Sequence, residues 1–370
     1  MDIFPIKAAV PNLNIISSPD AFFARVKEDF PEFEQSGFFK KSKEKAVYIY
    51  RIITASSRVF TGLILATTID DYIHKKIKKH EETIAPKRQM QIQLLLKRRA
   101  AVKPILLTYP NVPEIDKWMD TNILQREPCF DIWFEKEKQH HFFWRVSNPT
   151  AIAEIQALFK QNVPKCYIAD GHHRIAANKT LAEQIDKAGD KPHFSRVLSA
   201  FFSTTELDIY DYNRIINIEG LVTIPRMMAE LSQICTITPL SHARKPGKKG
   251  ELTMLIGKEW FSLVWKEDFL KEKKDLHHST DVQLFNQYIL QEIMRVKDIQ
   301  NATEIEYHEG IKSLSSFEKK VKKDKSLIGI CLYPIRMEKF LSIADAHLTL
   351  PPKSTWFEPR MKNGLLVKEY

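Results

Sequence analysis

One short stretch limits the local structure of this chain more than any other. Tyr167-Ile168-Ala169 is an apolar run that stops abruptly at Asp170-Gly171-His172-His173-Arg174, and Ile175 to Gln184 then supplies good helix formers with apolar spacing. The pattern predicts strand, tight turn, helix. A turn of this kind aims backbone N–H groups and the positive end of a helix dipole at whatever sits above it, which favours an anion. Gly171 permits close backbone approach, and Arg174 adds a planar fork suited to phosphate or carboxylate. Any one of these side chains could be an ordinary cap or surface residue; five together at one corner point to a site.

At 370 residues the chain exceeds the usual size of a single core, so two domains are expected. With 44% hydrophobic and 28% charged residues, the composition is that of a globular chain rather than a disordered one. No apolar run approaches membrane-spanning length, and the first residues hold no signal-peptide core, so the expectation is a cytoplasmic protein without membrane partners. Cys129, Cys166, Cys235 and Cys331 are far apart, which excludes a zinc ribbon or a C-x-x-C redox pair and predicts reduced, mostly buried thiols. The net charge of +10 raises nucleic acid as a partner, but the basic runs are scattered and several abut acids. Solvated faces explain that better than a nucleic-acid footprint.

Periodicity outlines the rest. Asp20 to Phe33 is predicted as a phenylalanine-striped helix interrupted at Pro31, and Ala46–Ile53 with Phe60–Thr67 as an antiparallel hairpin. Ile77 to Thr83 is a dense polar patch that, taken alone, reads as an exposed helix end before a helix from Arg88 to Arg99. In that helix Leu94, Leu95 and Leu96 suggest one buried face. His140-His141 read as surface residues leading into a strand at Phe142–Val146. Ala151 to Lys160 is helical, and Phe194 to Phe202 is a buried strand. The fold class expected is α+β, with a mixed-sheet core over residues 1–215 that carries the turn and a C-terminal α+β domain over 216–370. The latter has strands at Leu252–Ile256 and Phe261–Trp265 and a helix from Asp281 to Met294. The tail from Leu348 to Arg360 combines prolines, hydroxyls and aromatics, the composition of an ordered loop; Lys353, Ser354 and Thr355 within it could contact an anion. Walker, Rossmann, nucleophile-elbow and H-E-x-x-H signatures are all absent.

The D-G-H-H-R stretch after Ile168-Ala169 resembles the signature of a bacterial and archaeal family of unknown function, grouped with the ParB/sulfiredoxin-like fold and related to free-serine kinases. Gly62, Asp71-Tyr72, Lys78-Lys79-His80-Glu81 with Thr83, and Pro351-Pro352-Lys353-Ser354-Thr355 with Phe357 and Pro359 match it in order. Ile175 departs from it, standing where an aromatic is usual. The resemblance implies a ParB/sulfiredoxin-like core and a nucleotide-phosphate site at Gly171, His172, His173 and Arg174, with His80, Thr83, Lys353, Ser354 and Thr355 contributing. It implies ATP or ADP with Mg²⁺ as cofactors and phosphoryl transfer to a small hydroxyl-bearing metabolite such as serine. Glu81, or the adjacent Glu82, is then the proton acceptor, with Asp170 and His172 beside it in catalysis and no resident protein-bound metal. Two other readings remain open at the level of sequence. One is a non-catalytic nucleotide-binding regulator or scaffold that binds DNA or protein; the other is a metal hydrolase built on His80, His172, His173 and Asp170.

Overall fold

The computed structural model describes residues 1–124, 126–185, 194–272 and 280–370. They divide into two compact units: Met1–Asp208 with Ala344–Thr349 and Pro359–Tyr370, and Ile209–Ile343 with Leu350–Glu358.

The first unit is built on a mixed sheet. Its strands are β1 (Ile3–Phe4), β2 (Val47–Ile53), β3 (Val59–Thr68), β4 (Ile77–Lys78), β5 (Ile105–Tyr109), β6 (Phe130–Phe134), β7 (Gln139–Val146), β8 (Cys166–Asp170) and β9 (Arg196–Ser203). Their order is β4-β8-β5-β9-β3-β2-β7-β6, with β1 paired to β3. Two pairs, β4 with β8 and β5 with β9, run parallel. The expected hairpin is present as β2 and β3, closing at Ile53 opposite Val59. Nearly all of β3 is buried, as its largely apolar sequence requires of a strand covered on both faces. Gly62 sits within that strand because a Cβ there would come 2.4 Å from the Phe201 carbonyl and 2.8 Å from the Phe202 ring.

Around the sheet lie α1 (Pro19–Gln35), α2 (Ala85–Arg98), α3 (Pro113–Leu124), α4 (Pro149–Asn162) and α5 (His172–Gln184). Pro31 does not interrupt α1, contrary to the sequence expectation. Phe22, Phe23, Val26 and Phe30 anchor the helix in the core, and the carbonyl that Pro31 leaves without an amide, that of Lys27, accepts from Arg98 NH1 at 3.2 Å. Helix α2 starts three residues earlier than expected, with a proline in its first turn, and ends at Arg99 in the left-handed region at φ 48°. Of its three leucines, Leu95 is buried and Leu96 is exposed.

Two further expectations are corrected. Ile77–Lys78 is a strand rather than a helix end, because Cys166 and Tyr167 pair with it from far along the chain. His141 is not at the surface: β7 begins at Gln139, and alternation turns His141 into the core. There Tyr50 OH lies 2.6 Å from its Nδ1, while His140 faces outward to Asp131 at 2.6 Å.

The second unit holds an antiparallel sheet of β10 (Tyr212–Asn217), β11 (Cys235–Leu240), β12 (Glu251–Ile256), β13 (Glu259–Trp265), β14 (Ile305–Glu309) and β15 (Leu327–Leu332), in the order β11-β13-β12-β15-β10-β14. Ile215, Leu255, Trp260, Cys331 and the helical residues Phe317 and Val321 form its core. The helix expected from Asp281 starts there and continues from Phe285 to Ile293 in π geometry. The four cysteines are free thiols, with Cys129 exposed and the others buried. Among the described residues no helix is long and apolar enough to cross a membrane.

Candidate functional site

The parallel pairing of β4 with β8 creates the site. Ile77 lies opposite Cys166 and Lys78 opposite Tyr167, so both strands end on the same side of the sheet. One delivers Lys79-His80-Glu81, and the other delivers Asp170-Gly171-His172. Gly171 caps α5 at φ +105°, a conformation that L side chains rarely adopt, and an added Cβ would meet Arg174 NH2 at 2.8 Å and Ile105 Cγ2 at 3.0 Å. The Arg174 amide turns back to the Gly171 carbonyl at 2.9 Å, which leaves the His172 and His173 amides as the donors of the first turn.

Three side chains from the two strand ends meet. The rings of His80 and His172 pack edge to face with centroids 4.6 Å apart, and Glu81 Oε2 lies 3.7 Å from His172 Nδ1. Both histidines are buried. Burial pushes the His80 imidazole down to about 4, against the opposing pull of a backbone hydrogen bond at Ile168 and of Asp170. Burial, then the adjacent His80, holds His172 well below the ordinary histidine range. Both rings are therefore neutral near pH 7. Glu82 turns the other way, its carboxylate accepting from Lys79 Nζ at 2.9 Å on both oxygens, so Glu81 is the carboxylate that faces His172.

Asp170 and Arg174 form a separate group. Arg174 NH2 donates to Asp170 Oδ2 at 2.9 Å and to the Pro104 carbonyl at 3.2 Å, and Lys103 Nζ lies 3.7 Å from the same carboxylate oxygen. Burial alone would raise the Asp170 carboxyl, but Arg174, Lys103 and Arg360 outweigh it and hold the group well below the usual carboxylate range. Burial and the neighbouring Arg174 push the Lys103 ammonium down to about 8, partly offset by Asp170. Sequence reasoning missed Lys103. The available signal was a single cation, in Val102-Lys103-Pro104, directly before the wholly apolar start of β5.

The remaining expected residues belong to other elements. His173 is half-buried and accepts from the Ile84 amide through Nε2 at 3.1 Å, which ties α5 to the start of α2; burial, Lys87 and Arg174 all lower its pKa. Thr83 lies in the intervening loop. Lys353, Ser354 and Thr355 belong to the second unit. There the Lys353 ammonium lies 5.0 Å from the Tyr212 ring centroid and its carbonyl accepts from Arg214 at 3.0 Å, while the Ser354 hydroxyl donates to the Pro351 carbonyl at 2.6 Å.

For metals, the geometry revises the ligand set suggested by sequence. One donor atom from each of His80, Glu81 and His172 lies within 4.8 Å of the others, whereas His173 and Asp170 are engaged elsewhere. Two imidazoles and one carboxylate suit a borderline transition ion. They do not suit Mg²⁺, which takes oxygen ligands, and the second nearby carboxylate, Asp170, is committed to Arg174 and Lys103.

A family model described as "Protein of unknown function (DUF1015)" matches residues 11–291. No curated protein matches the chain. Among solved structures, SbnI with a C-terminal truncation from Staphylococcus aureus is 11% identical, with 81% of this chain and 85% of that chain covered and a TM-score of 0.41. A free serine kinase in complex with AMP is 15% identical, with 80% and 86% covered and a TM-score of 0.38. A conserved hypothetical protein from Pyrococcus furiosus is 17% identical, with 82% and 95% covered and a TM-score of 0.37.

Proposed function

This chain belongs to the DUF1015 family of proteins of unknown function, and we propose that it is a nucleotide-dependent phosphotransferase acting on a small hydroxyl-bearing metabolite such as free serine. The observation that carries the reading is the approach of the Glu81 carboxylate to within 3.7 Å of His172 at the first turn of α5. A base is thereby placed beside a helix N-terminus, where phosphate oxygens find amide donors and a favourable dipole. The ParB/sulfiredoxin-like core that the signature implies is part of the same proposal.

Phosphoryl transfer asks the protein for alignment and charge neutralisation rather than for covalent participation. The acceptor hydroxyl gives its proton to Glu81 as its oxygen bonds to phosphorus. The bond from phosphorus to the bridging oxygen of ATP or ADP breaks, and that oxygen leaves with its electron pair on the shortened nucleotide. The His172 and His173 amides face the negative charge that builds on the equatorial oxygens. His172, neutral and buried, keeps Glu81 in place; Asp170 fixes Arg174, and with it the shape of the turn.

The test is transfer of label from γ-³²P-ATP or β-³²P-ADP to a panel of hydroxyl-bearing amino and organic acids. Glu81→Gln should lower turnover by about 10²–10⁴-fold while nucleotide binding persists. Tight nucleotide binding with no transfer to any acceptor would refute the reading. The cluster also favours a second one, a transition-metal hydrolase using His80, Glu81 and His172 as ligands. Metal analysis of the purified protein decides it: a stoichiometric ion lost in His80→Ala supports it, and an ion-free protein active in transfer removes it.

A further inference from the structure

A cleft of about 240 Å³ opens on the Arg174 side of the turn, lined by Lys27, Arg98, Lys103 and Arg174. Arg174 stands two positions after His172, about 200° around the helix, so the cleft is on the opposite face of α5 from the Glu81–His172 contact. Sequence reading gave no reason to bring these cations together, since α1, α2, the segment before β5 and α5 each supply one. Among the described side chains, two carboxylates accompany them: Asp170 beside Arg174 and Lys103, and Glu28, whose Oε1 lies 3.3 Å from Lys27 Nζ. Positive charge is in excess.

The donors are also unequally used. Arg174 spends NH2 on Asp170 and the Pro104 carbonyl, which leaves NH1 of its fork. Lys103 has three ammonium donors and meets Asp170 only at 3.7 Å. Arg98 holds the Leu94 and Lys27 carbonyls through Nε and NH1, which leaves further donors of its fork to serve the cleft. Clustered cations in a partly desolvated cleft repel one another, and an anion bound there would offset that cost.

We propose that this cleft is a binding site for the phosphate group of a small phosphomonoester. A tetrahedral dianion offers enough acceptor oxygens to engage an arginine fork and a lysine together, and it offsets the excess charge. Ile105, Val197 and Leu198 line the cleft beside the cations, so a short carbon chain has a surface to lie on. The volume is below the range of about 300–1,000 Å³ typical of pockets for larger ligands, which limits the occupant to a few carbons beyond the phosphate. The site goes beyond the phosphotransferase reading and does not require that transfer occur at Glu81.

Calorimetric titration of the full chain with inorganic phosphate and, separately, with glycerol 3-phosphate tests the proposal. Saturable binding is expected for both, and the tighter of the two shows whether the free anion or an ester is the occupant. Lys103→Met should weaken binding about ten- to a hundredfold. Gln91→Glu, a change of charge at a partly exposed position lining the cleft, should weaken it in the same direction without touching the core. Lys160→Met, at an exposed position outside the cleft, should leave it unchanged. Absence of phosphate binding, or equal affinity in wild type, Lys103→Met and Gln91→Glu, would overturn the site. Glu81→Gln separates the two proposals, because it should lower transfer by about 10²–10⁴-fold and leave phosphate affinity intact.

Discussion

Replacing Lys103 by Met should make the protein more stable near neutral pH. The ammonium is pushed from an unfolded value of 10.5 down to about 8, first by burial and then by Arg174. Between those values the unfolded chain binds more protons than the folded one, so the wild-type protein gains stability as pH rises from about 8 to 10.5 and lacks that gain at pH 7. The shift corresponds to about 3 kcal/mol at most, an upper bound because a fifth of the side chain still meets solvent. Methionine keeps most of the apolar stem and removes the charge. Asp170 loses its contact with Lys103 but keeps Arg174 at 2.9 Å, so we subtract about 1 kcal/mol. The net gain of about 2 kcal/mol amounts to about 4–8 °C in the midpoint of a domain of this size. Thermal melts at pH 7 and pH 10 measure it: the advantage of Lys103→Met should be large at the first and nearly gone at the second. A lower midpoint at pH 7, or the same difference at both pH values, would refute the reasoning.

Two other perturbations report on the scaffold. Gly62→Ala pushes a methyl group into the Phe201 carbonyl at the centre of the sheet and should cost about 1–3 kcal/mol or more, read as a lower denaturation midpoint in urea. His141, held down to about 3 chiefly by burial, stays neutral in the fold while the unfolded chain takes up a proton below about 6.5; its stabilising effect is therefore full above that pH and is lost as pH falls. From pH 7 to pH 4, His141→Phe should lose about 3 kcal/mol less stability than wild type, although at pH 7 it costs about 1 kcal/mol by removing the partner of Tyr50. Equal losses in the two proteins would contradict the assignment.

What could be read from sequence was mostly local. The hairpin of β2 and β3 follows from two apolar runs and a short polar break, and the strand-turn-helix at Asp170 follows from the change of period at Gly171. The misreadings share a cause, which is dependence on partners distant in the chain. Ile77–Lys78 is a strand only because Cys166 and Tyr167 pair with it, and Pro31 is tolerated only because Arg98 takes up the carbonyl it frees. The site divides in the same way. Five adjacent residues drew attention to the turn, but sequence could not show that His172 and Arg174 would leave it in opposite directions, or that Lys103 would join the second of them.

The strand that presents Glu81 is two residues long and lies at the edge of its sheet. Its pairing with β8 covers two residue positions, supplemented by the Cys166 amide on the Lys76 carbonyl at 2.9 Å and by Lys78 Nζ on Asp345 at 3.0 Å. His172, by contrast, starts a helix whose other turns are anchored in the core by Ile175, Ala177 and Leu181. The two halves of the site thus differ in persistence. A brief fraying of β4 would carry the Glu81 carboxylate away from His172 while the helix and its amides stayed in place, so the two halves of the cluster come apart at the sheet margin first.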